Sequence, residues 1–232
     1  MCGRYTIIAK AEEIEKRFNV HVPESYQPRY NAAPTQILPV ITNSSPDGLS
    51  FFHWGLIPKW AKDKSISSKL INARAETLTE KVSFKNALQQ RRCLVLADGF
   101  YEWKRSSKKS RIPYRIRLKD ASLFAFAGLW EAFEDEEQNC IHTFTIITTN
   151  ANSMVSNIHD RMPVILDRQS EKTWLQQANS VEEHMSLLKS YDEHKMESYS
   201  VSSQVNSVEN DNPKLILSAP PTDQFGNLTL FD

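Results

Sequence analysis

The chain has 232 residues and 26.7 kDa, with 40% hydrophobic, 24% charged and 10% aromatic residues, which excludes disorder, collagen and coiled coil as whole-chain descriptions. Twenty-eight Lys and Arg balance 28 Asp and Glu, yet 17 of the basic residues and only 6 of the acidic ones fall between His53 and Asp120. A basic segment of that density suits a polyanion, or else a solvated face balanced by an acidic neighbour.

In chain order, the spacing predicts a helix over Ala9 to Phe18, then loop and extended chain through Pro23, Pro28, Pro34 and Pro39, where proline bars a helix interior. Apolar runs bounded by turn residues read as strands at Ile37 to Ile41, Leu49 to Trp54, Cys93 to Trp103, Tyr114 to Leu118, Leu123 to Trp130, Thr143 to Thr149 and Val164 to Leu166. Helical patterns lie at Ser83 to Arg92 and Ser170 to Gln177, and Ser180-x-x-Glu183 carries a capping-box signature. Lys104 to Arg111 reads as a polar basic loop between two strands. Strict βα alternation is absent, so the expected fold is α+β: one domain with a mainly antiparallel, partly barrel-like β core and peripheral helices. It spans residues 1–217, with 218–232 as a weakly ordered tail. No stretch reaches the roughly 20 apolar residues that cross a bilayer, and the first ten lack a signal-peptide pattern, so the expected location is cytoplasmic. Cys2, Cys93 and Cys140 form an odd set without CxxC spacing, which fits reduced thiols. With no ligand cluster and no phosphate-cradling glycine loop, neither a metal nor an organic cofactor is expected.

The candidate chemistry begins at Cys2. Removal of the initiator methionine would leave an α-amine and a thiol on one residue, a 1,2-aminothiol whose two groups titrate near pH 8 to 8.5. Such a pair converts an aldehyde first to an imine and then to a five-membered thiazolidine, a closure favoured by high effective molarity. N-A-R-A-E-T (Asn72 to Thr77) sets an amide, a guanidinium and a carboxylate at alternate positions, which share one face of an extended chain. G-F-Y-E-W (Gly99 to Trp103) holds Glu102 between Tyr101 and Trp103, a context able to raise its pKa by desolvation. I-H-D-R-M-P (Ile158 to Pro163) offers His159 as an acid or base beside Arg161. Each taken singly also has a structural reading: Asn72 as a turn residue, Glu102 as an ion-pair partner, His159 as a satisfied polar residue, and Arg74 and Arg161 as surface charges.

Taken in order, M-C-G-R, Y-N-A-A-P-T, W-G-L-I-P-x-W, N-A-R-A-E-T, A-D-G-F-Y-E-W and I-H-D-R-M-P resemble the SRAP family, the SOS-response-associated peptidases understood as abasic-site processing proteins. The resemblance runs from Met1 to about Ile216. It implies a DNA-damage role in which the terminal cysteine couples covalently to the aldehyde of an abasic site in single-stranded DNA. It assigns Cys2 as nucleophile, Asn72 as active-site asparagine, Glu102 as catalytic glutamate and His159 as the histidine. Arg4, Arg74 and Arg161 match arginines that hold phosphates around the lesion, and Pro34 matches a residue that wedges against the neighbouring base. Glu102 would open the cyclic sugar, and His159 would transfer protons during imine formation or a strand-cleaving β-elimination. Trp60 and Trp54 are candidate stacking platforms for bases, with core burial the alternative for Trp54. Lyase activity, crosslink reversal by Glu102 and self-processing are further implications. The expected partner is abasic single-stranded DNA; nothing in the sequence demands more than a monomer, with nucleoid association when DNA is bound. Two other classes fit the residues: a cysteine peptidase using Cys2 with His159 and Glu102 and no DNA chemistry, and a plain DNA-binding module.

Overall fold

Runs rich in Val, Ile, Phe and Thr form the strands, and the chain turns between them at Pro, Gly, Asn and Asp. The computed structural model describes residues 2–107 and 109–228. Its first half contains β1 (Tyr5–Ile7), α1 (Ala11–Phe18), β2 (Arg29–Ala32), β3 (Ile37–Thr42), β4 (Ser45–Trp54), β5 (Asn72–Arg74), α2 (Val82–Gln90), β6 (Arg92–Ala97) and β7 (Gly99–Arg105). There follow β8 (Arg111–Leu118), β9 (Phe124–Glu134), β10 (Cys140–Asn150), α3 (Ser153–Ser156), β11 (Arg161–Pro163), β12 (Ile165–Leu166), α4 (Arg168–Leu175), α5 (Val181–Ser186) and β13 (Met196–Ser200).

The expected α+β architecture with a barrel core is observed. β10 pairs with β9, β9 with β6, β6 with β3 and β3 with β4, all antiparallel, and β4 returns to β10 in parallel, His53 opposite Thr143 and Trp54 opposite Phe144. That closes a five-stranded barrel. Beside it lies an antiparallel sheet in the order β13-β8-β7-β1-β2. Tyr5, Trp54, Phe100, Phe126 and Phe144 interlock across the junction with ring centroids 5.3 to 6.1 Å apart. Trp54 is therefore a core residue and no stacking platform: it is fully buried, and its Nε1 donates to the Ile71 carbonyl at 2.9 Å.

The apolar run from Cys93 to Trp103 is two strands, not one. β6 belongs to the barrel and β7 to the second sheet, and the chain crosses between them at Asp98. The buried Asp98 carboxylate accepts hydrogen bonds from Thr6 Oγ1 and the Ile8 N–H and pairs with Arg115 Nη2 at 2.8 Å, drawing the chain onto β1. Gly99 follows because a Cβ there would stand 2.9 Å from Arg115 Nε and Nη2. α2 stops at Gln90, and Arg92 opens β6 instead of ending the helix. Its buried guanidinium donates to the carbonyls of Leu88, Gln89, Trp174 and Gln176, satisfying the C-terminal ends of α2 and α4. Burial lowers its pKa to about 10. The Ser180 capping box forms, with Oγ accepting from Glu183 N at 3.2 Å and Glu183 Oε2 accepting from Ser180 N at 2.7 Å.

In the C-terminal stretch, Asp223 accepts from Ser110 Oγ at 2.8 Å and so touches the β7–β8 hairpin, while 229–232 lie outside the described residues. No helix among the described residues is long and apolar enough to cross a membrane.

Candidate active site

β10 is the strand on which two distant motifs meet. β5 joins it in parallel, Asn72 opposite Ile146 and Arg74 opposite Thr148, and β11 joins it antiparallel, Arg161 opposite Asn150. The N-terminal segment arrives from the other sheet. β1 pairs with β7 through Tyr5 opposite Phe100, and Tyr101 N donates to Arg4 O at 3.0 Å, so the chain from Arg4 back to Cys2 runs alongside Glu102. Asn72 Nδ2 then donates to the Cys2 carbonyl at 2.9 Å and ties β5 to the terminus.

Cys2 is completely buried, with Sγ 3.9 Å from the Arg4 carbonyl. Burial raises its thiol pKa far above the usual range, and the neighbouring Glu102 charge raises it further, so the sulfur is held protonated. Glu102 is 2% exposed, and burial pushes its carboxyl up to about 7. The cause differs from the one the sequence offered. Alternation along β7 turns Tyr101 and Trp103 to the opposite face, where they pack in a small apolar cluster with Val201, Val205 and Leu215. Glu102 faces the other way, where its charge is felt by the Cys2 thiol. Asn72 Oδ1 is buried without a hydrogen-bond partner among the described residues, an acceptor lone pair beside the Cys2 backbone. His159 is half-buried, and desolvation lowers its pKa, which keeps the ring neutral at pH 7. Its Nδ1 lies 3.0 Å from both the Arg161 main-chain N–H and Asp160 Oδ1.

The three arginines are not equivalent. Arg4 donates from Nη1 to Asn31 Oδ1 at 3.2 Å and to Val205 O at 2.8 Å, and from Nη2 to Asn206 O at 3.4 Å. Arg161 is 8% exposed, its fork closed on Glu76 by bonds of 2.8 and 2.9 Å, with Asn150 Oδ1 and Thr148 O as further acceptors. Both are engaged by the protein's own acceptors. Arg74 is exposed and makes no side-chain hydrogen bond or ion pair among the described residues, though its charge is felt by Glu76. Pro34 is half-buried in the turn between β2 and β3. Trp60 is 54% exposed in the β4–β5 connection, sharing a shallow recess with Lys62 and Lys69. No hydrogen bond among the described residues links Pro34, Trp60 or the Arg74 side chain to the Cys2 cluster.

Sequence reasoning gave no role to Glu76 or Asn31, although both stand inside the quoted motifs. Asn31, 1% exposed, donates from Nδ2 to the carbonyls of Val205, Ser207 and Asn210, and Asp211 Oδ1 accepts from the N–H groups of Tyr30 and Asn31. Together they lay residues 205–211 across β2 as a strap that also holds Arg4. Trp103 Nε1 fastens it again at Asn206 Oδ1, 2.7 Å away.

The model of the SRAP (SOS response associated peptidase) family matches residues 1–208, and the chain belongs to that family. Its relatives include abasic site processing protein YoqW of Bacillus subtilis, 51% identical over 93% of this chain and 99% of that protein. Abasic site processing protein HMCES of Mus musculus is 33% identical over 85% of this chain and 67% of its own length. A crystal structure of a protein from Bacteroides thetaiotaomicron superimposes with a TM-score of 0.86 at 32% identity, covering 94% of this chain and all of that one.

Proposed function

We propose that this protein processes abasic sites in single-stranded DNA by forming a thiazolidine crosslink through Cys2 once Met1 is removed. The carrying observation is the convergence of Cys2, Asn72 and the desolvated Glu102 at one buried point. An abasic sugar rests mainly as a closed hemiacetal. Glu102, poised near neutrality, gives a proton to the ring oxygen as the C1–O bond opens and the C1 hydroxyl yields its own proton. The Cys2 amine adds to the aldehyde, the carbinolamine loses water, and an imine forms. The thiol then adds its sulfur to the imine carbon while its proton passes to the nitrogen, closing the ring with a net loss of one water. A thiol held protonated suits this order, because nitrogen attacks first and the S–H proton is needed only at closure. Asn72 Oδ1 accepts from the amine or a sugar hydroxyl, His159 exchanges protons during dehydration, and Arg74 meets the flanking phosphate with Trp60 and Pro34 beside the bases.

The test is incubation of the processed protein with a single-stranded oligonucleotide carrying one abasic site. A heat-stable adduct, one water lighter than the sum of its parts, is expected from wild type and is expected to vanish in Cys2→Ala. Equal crosslinking by Cys2→Ala would overturn the assignment.

A further inference from the structure

Glu76 is the carboxylate of N-A-R-A-E-T, and the chemistry above leaves it unused. Its two oxygens take the Arg161 fork, Oε1 from Nη1 at 2.8 Å and Oε2 from Nη2 at 2.9 Å. A bidentate carboxylate–guanidinium pair fixes the plane of the arginine as well as its position. The same guanidinium reaches Asn150 Oδ1 and the Thr148 carbonyl, so the Glu76 turn is locked to the end of β10 and to β11. From there the chain leads straight to the imidazole: the Arg161 main-chain N–H donates to His159 Nδ1 at 3.0 Å. Glu76 itself is 45% exposed on its side chain while Arg161 is 9% exposed, so the outer member of the pair clamps the inner one. Arg161, with Arg74 adding to it, holds the Glu76 carboxyl below its ordinary pKa and keeps it ionised at neutral pH.

We propose that Glu76 is a positioning residue for the covalent step: it sets Arg161, and through the Arg161 main-chain N–H it sets the ring orientation and tautomer of His159. Nδ1 faces one donor, the Arg161 main-chain N–H at 3.0 Å, and two acceptors, Asp160 Oδ1 at 3.0 Å and the Arg161 carbonyl at 3.3 Å, so the placement of that N–H is what holds Nδ1 as an acceptor with the proton on Nε2, and its withdrawal lets Nδ1–H turn to either acceptor. Loosening Arg161 releases that constraint and mixes the two tautomers. The inference rests on the crosslinking reading above, and its test separates the two.

Single-turnover coupling to an abasic single-stranded 20-mer, measured across protein concentration, gives a half-saturation point and a limiting rate. Glu76→Gln keeps the shape and one acceptor oxygen but loses the charge and the fork. Its limiting rate is expected to fall roughly 10- to 100-fold, the cost of misplacing a reacting group by about 1 Å, while half-saturation stays the same or tightens because a negative charge beside Arg74 has gone. Glu76→Asp, which keeps the charge, is expected to recover part of the rate and carries the comparison if the Gln variant fails to fold. A second readout is the ¹⁵N signature of His159, assigned by its loss in His159→Gln: a single Nε2–H tautomer in wild type and a tautomer mixture in Glu76→Gln. An unchanged limiting rate with an unchanged His159 signature overturns the inference, and so does weaker DNA affinity with an intact limiting rate. If wild type forms no adduct, the crosslinking reading fails instead, and the His159 signature alone then decides whether Glu76 sets the ring.

Discussion

At the scale of single residues, Glu102 has the sharpest consequence. Its carboxyl is raised from an ordinary 4.5 to about 7 by burial, so below pH 4.5 it is protonated in folded and unfolded chains alike. As pH rises from 4.5 towards 7, the unfolded chain gives up this proton while the folded protein keeps it, so stability falls across that window and the loss is complete once the folded group ionises near 7. Glu102→Gln is therefore expected to be more stable than wild type at pH 8, by up to about 3 kcal/mol relative to their difference at pH 4, in paired urea titrations. The same variant should couple to abasic DNA roughly 10² to 10⁴ times more slowly, and the decline of the wild-type rate above pH 7 should disappear from its profile. A stability difference independent of pH would remove the basis for treating Glu102 as a proton donor.

Among elements, the crossing from β6 to β7 governs the site. Glu102 stands four residues past Asp98, and the Asp98–Arg115 pair holds that crossing against β1 and so against Cys2. Arg115 is 2% exposed, and removing it leaves a buried carboxylate uncompensated. Arg115→Leu is expected to cost about 3 to 5 kcal/mol in urea unfolding, far more than a surface arginine would. β6, β9 and β10 were legible as apolar runs, because closure of the barrel buries them on both sides of the pleat over most of their length. β1, β2 and β13 escaped notice because they are short or half polar, as Arg29–Ala32 and Met196–Ser200 are, and owe their conformation to their neighbours. The single run from Cys93 to Trp103 concealed a crossing, since the partner of Asp98 lies 17 residues onward. The candidate site was legible as a set of motifs, but the meeting of Asn72 with Cys2 was not. Glu76 finds Arg161 across 85 residues, and Asn31 finds Val205 across 174, separations over which local patterning carries no information.

Over the whole molecule, the basic middle of the sequence is weaker as a field than its charge count suggests. Arg91 pairs with Glu131, Arg115 with Asp98, Arg117 with Glu197 and Lys64 with Asp135, and Arg92 spends its guanidinium on helix carbonyls. Five of the 17 are thereby engaged within the protein and are less free to meet a polyanion. Single-stranded DNA releases counterions with a slope near 0.7 per neutralised phosphate, so engagement of all 17 basic residues would give a log–log salt slope near −12. The expected slope for this protein lies between about −2 and −4, from Arg74 and exposed lysines near Trp60, and is read from affinity measured across a salt series. A steep slope would mean that internal pairs open on binding.

The strap across β2 has an effect beyond holding Arg4. β2 ends its sheet, and a terminal strand with bare amide groups invites a second molecule to extend the ladder. By receiving the amides of Tyr30 and Asn31, the Asp211 side chain closes that border with a carboxylate no foreign strand can continue, so the fold guards itself against edge-to-edge aggregation along β2.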